Sequence, residues 1–139
     1  MRELLGVGHE VADLGTDSEA PVDYPDFCFP VGERVAAGLA DRGIVLGGSG
    51  IGESIAANKV LGIRASVVTS DETARLTRLH NDSNVLALGA RTNADHDAVL
   101  HWVRIWLETG FEGGRHVVRL EKIAAYERAH GGGRTATRV

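Results

Sequence analysis

The chain has 139 residues, enough for one domain with a real hydrophobic core, and its 43% hydrophobic and 24% charged residues are the proportions of a soluble globular protein. A net charge of −4 argues against a general nucleic-acid binder, although local basic clusters could still hold a phosphate. No apolar run approaches a membrane span, no signal peptide is visible, and a single cysteine, Cys28, excludes an internal disulfide, so a cytoplasmic protein with no membrane or nucleic-acid partner is expected.

In chain order, residues 1–7 read as the last turn of a helix and residues 10–14 as a strand, followed by a polar loop over 15–23. Tyr24-Pro25 opens a helix whose Phe27, Val31, Val35 and Leu39 recur at nearly helical spacing, with Pro30 marking a kink or a late start. Cys28 lies in this segment, away from the glycine-rich loop, and reads as a small buried hydrophobe rather than a nucleophile. Ile44, Val45 and Leu46 form the continuous apolar run of a parallel strand buried on both faces. Gly47, Gly48, Ser49, Gly50 and Gly52 then lead into a helix over 51–59.

A β-branched run over 64–69 is followed by Ser70, Asp71 and Glu72, a credible helix start, and that helix turns Leu76 and Leu79 inward before ending near His80-Asn81. Residues 84–88 are the next strand. Thr92 or Asn93 is expected to cap a long helix through Thr109 with Val99, Trp102, Val103 and Trp106 on its apolar side. Glycines at 110, 113 and 114 precede a last helix over about 115–129, and residues 131–139 are too polar and glycine-rich to pack. Strands alternating with helices at this spacing imply an α/β fold, a parallel sheet with helices on both faces, in a single domain over 1–130 followed by a disordered tail.

The chemistry concentrates on 43–59, GIVLGGSGIGESIAANK. Gly48, Gly50 and Gly52 leave backbone N–H groups unshielded at a helix start, an arrangement that cradles an anion or an oxyanion. The segment lacks the lysine and the serine or threonine of a P-loop, and its spacing is not the dinucleotide fingerprint; the glycines could also simply serve a tight turn. Glu53, in the first turn of the helix, puts a carboxylate beside the cradle. That pair suits proton abstraction next to a carbonyl, although a carboxylate there is also a simple favourable charge at a helix N-terminus. Ser49 either donates to the same oxygen or shapes the loop.

Elsewhere, Arg115 and Arg119 lie four apart on the last helix with His116 between them, a solvated face or a phosphate grip. Arg91 follows a strand end directly and is a third phosphate candidate. His80 is either a helix C-terminal residue or an acid-base group, Asn81 either a turn residue or a substrate ligand, and Tyr24 either a packing residue or a sugar contact. His80 precedes its strand, so its participation requires a fold-specific approach or a neighbouring subunit. His9, His96, His101 and His130 show no metal-ligand spacing, and neither a metal nor a cofactor is expected.

GIVLGGSGIGESIAANK resembles the corresponding segment of the ribose-5-phosphate isomerase B group, which includes galactose-6-phosphate isomerase subunits and related sugar-phosphate isomerases. The likeness continues in HEVADLG at 9–15, PVDYPDF at 21–27, GIRA at 62–65, RLHNDSNVLALGAR at 78–91 and FEGGRHVVRLEKI at 111–123. Many members carry a cysteine base just before the loop. Gly47 stands there in this chain, so Glu53 resembles instead the carboxylate base of an actinobacterial-type subgroup.

The resemblance implies a three-layer α/β/α Rossmann-like sheet and an aldose–ketose isomerase, with ribose 5-phosphate and ribulose 5-phosphate as the expected pair. A tetrulose 4-phosphate or hexose 6-phosphate substrate, or a non-catalytic phosphosugar-binding domain, are the alternatives. In the family His80 would assist ring opening, Asn81 would bind substrate oxygen, Tyr24 would lie near the sugar, and Arg115, His116 and Arg119 would reach the phosphate from the partner subunit of a homodimer or tetramer. The family's first strand and a loop with an Asp-His pair would precede residue 1. A start internal to the natural reading frame is the expectation here, over loss of a central strand.

Overall fold

The computed structural model describes residues 8–92 and 95–131. The expected helical turn over 1–7, Asn93 and the tail beyond 131 lie outside them. Among the described residues, five helices and three strands follow in the order α1 (Pro25–Ala36), β1 (Gly43–Gly47), α2 (Ile51–Ala57), β2 (Ala65–Val67), α3 (Asp71–Asn81), β3 (Val85–Gly89), α4 (His96–Glu108) and α5 (Arg115–His130). The strands are all parallel in the order β1-β3-β2, with Gly43 opposite Val85, Gly47 opposite Gly89, and Ala65 also opposite Val85.

β3 is the middle strand and is buried along its whole length, which is why VLALG carries no polar side chain. Its side chains alternate between the faces. Val85 and Ala87 pack with Cys28, Val45, Ala56, Ala57 and Ile63 beneath α1 and α2; Leu86 and Leu88 pack with Val68, Ala74, Val103, Ile105 and Trp106 beneath α3 and α4. The three layers expected from the alternation of strands and helices are therefore present. Trp106 is fully buried and donates its indole N–H to Ser83 Oγ at 2.7 Å, so its one polar atom is satisfied inside the second core.

α3 begins as its sequence directs. The Ser70 hydroxyl accepts from the Thr73 N–H at 3.1 Å while Thr73 Oγ1 accepts from the Ser70 N–H at 3.0 Å, a reciprocal cap. At its other end the buried Arg78 donates to Asp82 at 2.6 Å, to the Ser83 carbonyl at 2.7 Å and to the Thr109 carbonyl at 3.1 Å, tying the end of α3 to the start of β3 and the end of α4.

Four expectations are corrected. Residues 10–14 form no strand: His9, Glu10, Ala12 and Asp13 are exposed and no described backbone pairs with them. Among the described residues β1 is an outer strand, and Leu46 is 64% exposed, so the strand is not buried on both faces. Pro30 lies within a continuous α1, so the helix does not start late. Finally, α4 is capped by Asp95, whose carboxylate accepts from the N–H groups of Asp97 and Ala98, and not by Thr92.

Candidate active site

Parallel strands bring their carboxyl ends to one edge, and at that edge Gly47 ends β1 and Gly89 ends β3. The glycine loop lies against the end of β3: a Cβ on Gly50, whose φ is +78°, would approach the Leu88 carbonyl carbon to 3.0 Å. The Ala90 N–H donates to the Gly47 carbonyl at 2.7 Å and the Arg91 N–H to the Gly48 carbonyl at 2.9 Å, so the two strand-end loops are bonded together. Among the described residues, the amides of Gly48, Ser49 and Gly50 donate to no protein acceptor.

Glu53 is 6% exposed, and its carboxylate lies against Gly47. A side-chain carbon at Gly47 would collide with the Glu53 carboxyl group itself. The acid thus fills the space that any residue other than glycine would claim at the end of β1. The Arg91 guanidinium covers Gly48 in the same way, with Cζ 2.7 Å from where a Cβ would stand, and the Tyr24 hydroxyl covers Gly52 at 2.8 Å from its Cβ position. Ser49 Oγ accepts from the Ile51 N–H at 3.3 Å, which shapes the loop and leaves the hydroxyl proton available to donate. Cys28, far from the loop in sequence, is close to Glu53 in space: burial, and then the Glu53 charge, push its thiol up to about 11. A thiol so raised stays protonated, in keeping with a buried hydrophobe.

A second group forms at the opposite edge of the sheet. Because β2 and β3 are parallel, α3 must return to the edge where β3 starts, and His80 lies at the end of that helix. The His80 and His116 rings stack with centroids 4.3 Å apart and an interplanar angle of 10°. Arg119 Nη1 is 3.4 Å from His116 Nδ1. The Glu112 N–H donates to the Leu79 carbonyl at 3.0 Å, which holds the loop before α5 against the end of α3. Glu112 Oε2 then sits 3.7 Å from His80 Nε2 and 3.8 Å from His116 Nε2. Burial, the neighbouring His80 and the Arg115 charge hold the His116 imidazole below its ordinary range against the opposing pull of Glu112.

Of the sequence-derived candidates, Glu53, Ser49, Tyr24, Gly48, Gly50, Gly52 and Arg91 therefore collect at the carboxyl edge, while His80, Asn81, Arg115, His116 and Arg119 lie at the other end of the fold. Among the described residues no hydrogen bond, ion pair or ring contact joins the two groups. A cleft of about 240 Å³ between β2 and α5 is lined by Asn81, Arg64 and Ile123 but by neither Glu53 nor His80, so it is not where those groups would act.

Residues 1–123 match the family model described as Ribose/Galactose Isomerase. The chain belongs to this ribose/galactose isomerase family. Ribose-5-phosphate isomerase B of Escherichia coli (strain K12) is 47% identical over 124 residues, 89% of this chain and 83% of that protein. A ribose-5-phosphate isomerase B structure from Clostridium thermocellum superposes with a TM-score of 0.90 at 50% identity, covering 93% of this chain and 86% of the other. The corresponding structure from Mycoplasma genitalium, determined with ribulose-5-phosphate bound, gives a TM-score of 0.87 at 40% identity over 91% and 84%.

Three features of this family member escaped the reading of residues alone. Glu112 stands inside the FEGGRH motif, yet nothing in its spacing pairs it with His80. The complementarity of Gly47 and Glu53 requires the loop geometry, as does the approach of Cys28 to Glu53.

Proposed function

We propose that this isomerase interconverts ribose 5-phosphate and ribulose 5-phosphate through an enediolate, with Glu53 as the base. The observation that carries the reading is the buried Glu53 carboxylate, held over a glycine at a strand end and next to loop amides with no acceptor among the described residues. In the aldose-to-ketose direction His80 assists ring opening. Glu53 then takes the proton from C2 and returns it to C1, while the hydroxyl proton passes from O2 to O1. The loop amides and the Ser49 hydroxyl receive the charge that develops on oxygen.

The active site is composite in this reading. β3 rises by about 13 Å between Val85 and Gly89, and Glu53 and His80 lie beyond its opposite ends, too far apart to act on adjacent sugar atoms within one chain. A homodimer that sets the His80 end of one chain against the Glu53 end of the other joins them. Arg91 then meets Arg115, His116 and Arg119 of the second chain at the phosphate, with Asn81 and Tyr24 lining the sugar. α5 favours such a partner: only His116 is buried on it, and it exposes Val118, Ile123 and Tyr126. A reducing cytoplasm suits the single free thiol.

The test is Glu53→Gln, assayed on ribose 5-phosphate and on tetrose and hexose phosphates. Turnover of the pentose should fall by at least about 10²–10⁴-fold with phosphosugar binding retained. Undiminished turnover would remove Glu53 as the base, and a preference for another sugar length would change the substrate.

A further inference from the structure

From the geometry at the head of α5 we infer that His80, Glu112 and His116 form a binding site for a divalent transition-metal ion of the zinc type. The two imidazole nitrogens and one carboxylate oxygen that would ligate it lie within 4.8 Å of one another. The decisive distances are 3.7 and 3.8 Å from Glu112 Oε2 to the Nε2 atoms of His80 and His116. Both exceed a hydrogen bond, so the carboxylate is not bonded to either ring. Both are close to the separation of two ligands that share one ion, since bonds of 2.0–2.2 Å meeting at tetrahedral angles set ligand atoms roughly 3.3–3.6 Å apart.

A second, independent observation points the same way. His116 is 4% exposed, and its Nε2 is buried with no hydrogen-bond partner among the described residues while facing Glu112. A buried polar atom without a partner is unfavourable, and a metal ion would satisfy it. His80 and Glu112, by contrast, are partly open to solvent, at 33% and 57%, and give an ion its way in. The backbone bond from Glu112 to Leu79 already fixes the loop, so little ordering remains to be done on binding.

Two features oppose the ion. The stacked rings hold their in-plane lone pairs nearly parallel, so His80 must tilt away from His116 for both to reach one metal. Arg119 Nη1, 3.4 Å from His116 Nδ1, can only donate, so this contact puts the imidazole proton on Nε2 and must be given up before that nitrogen can ligate; Arg119 and the neighbouring Arg115 also repel a dication, although both are exposed and screened by solvent. Binding is therefore weaker than at a structural zinc site. An ion here would draw His80 away from a sugar and make the metal an inhibitor that competes with phosphosugar. The site itself rests only on the ligand geometry and stands whether or not the isomerase mechanism above is right.

Titration of the full chain with Co²⁺, followed by visible absorption, and with Zn²⁺, followed by calorimetry, tests the inference without reference to activity. One ion per chain should bind, with the intense visible bands of a four- or five-coordinate Co²⁺ complex. Glu112 is exposed, so Glu112→Ala should fold normally, as circular dichroism will check. It should weaken binding by more than the roughly 10–100-fold that loss of an outer-shell partner costs, and His80→Ala should do the same. His101→Ala, which removes the exposed His101–Asp71 pair, should leave the titration unchanged. Failure to bind either metal would overturn the site, and so would binding that survives Glu112→Ala and His80→Ala or disappears in His101→Ala.

Discussion

Glu53 and Gly47 behave as one unit, because the carboxylate occupies the volume that a β-carbon at residue 47 would need. If Glu53 is the base, as proposed, Gly47→Ala should act like a mutation of it. The new methyl must displace the carboxyl group, and kcat should fall by about 10²-fold or more while the melting temperature moves far less than the activity. Steady-state kinetics beside a thermal melt would check this, and unchanged kcat would mean that Glu53 reacts from another position. Cys28 gives a second prediction at this scale. With its thiol raised to about 11, the folded protein should resist alkylation at pH 8, where an unfolded chain reacts readily. Thiol labelling with and without denaturant measures the difference.

His116 adds a pH dependence whose sign follows from its lowered folded-state pKa. The unfolded chain takes up the proton first. Its contribution to stability is therefore complete above the ordinary histidine value of about 6.5 and diminishes as the pH falls from there toward the folded-state pKa, below which the loss levels off. Urea midpoints measured between pH 7.5 and 5 should fall, and His116→Gln should flatten the fall. An equally steep slope in that variant would assign the dependence to other groups.

At the level of elements, α3 carries most of the local instructions. Its reciprocal Ser70–Thr73 cap satisfies the first turn, and Ser70→Ala should cost about 1 kcal/mol in urea unfolding without changing the slope of the transition. The cap could be recognised from Ser70-Asp71-Glu72 because capping is decided within a few residues. The start of α4 is not legible in the same way: Thr92 and Asn93 are good capping types, but Asp95 bonds the amides of Asp97 and Ala98, and local sequence does not choose among such residues. Residues 10–14 and Leu46 depart from expectation for a different reason. An apolar run shows that a segment can pair or be buried, whereas the identity of its neighbour is a property of the sheet.

Across the whole molecule, the separation of Glu53 from His80 makes a prediction that neither residue could make alone. If one catalytic centre takes its base from one chain and its histidine from another, Glu53→Gln and His80→Ala are each inactive but complement each other. Mixed and reassorted at equal amounts, half of the dimers would be hybrids with one intact centre of two, so about a quarter of wild-type activity should return. Absence of rescue, with exchange of subunits demonstrated by mass, would show that each centre lies within a single chain.

The sequence by itself determined the α/β alternation, the glycine loop, the carboxylate beside it and the histidine and arginines of the second group, together with the family they resemble. These are consequences of short-range preferences: burial on both faces calls for apolar strands, backbone approach calls for glycine, and helix starts call for side-chain acceptors. Only the tertiary structure decided that Glu53 closes over Gly47, that His80 and Glu53 occupy opposite ends of the strands, and that Glu112 faces two imidazoles. A parallel sheet joins its strands through returning helices, so residues near in sequence, such as His80 and Val85, share one edge while Gly89, four residues further along the strand, belongs to the other. Which side chains meet is set by that crossing geometry, and no spacing along the chain encodes it.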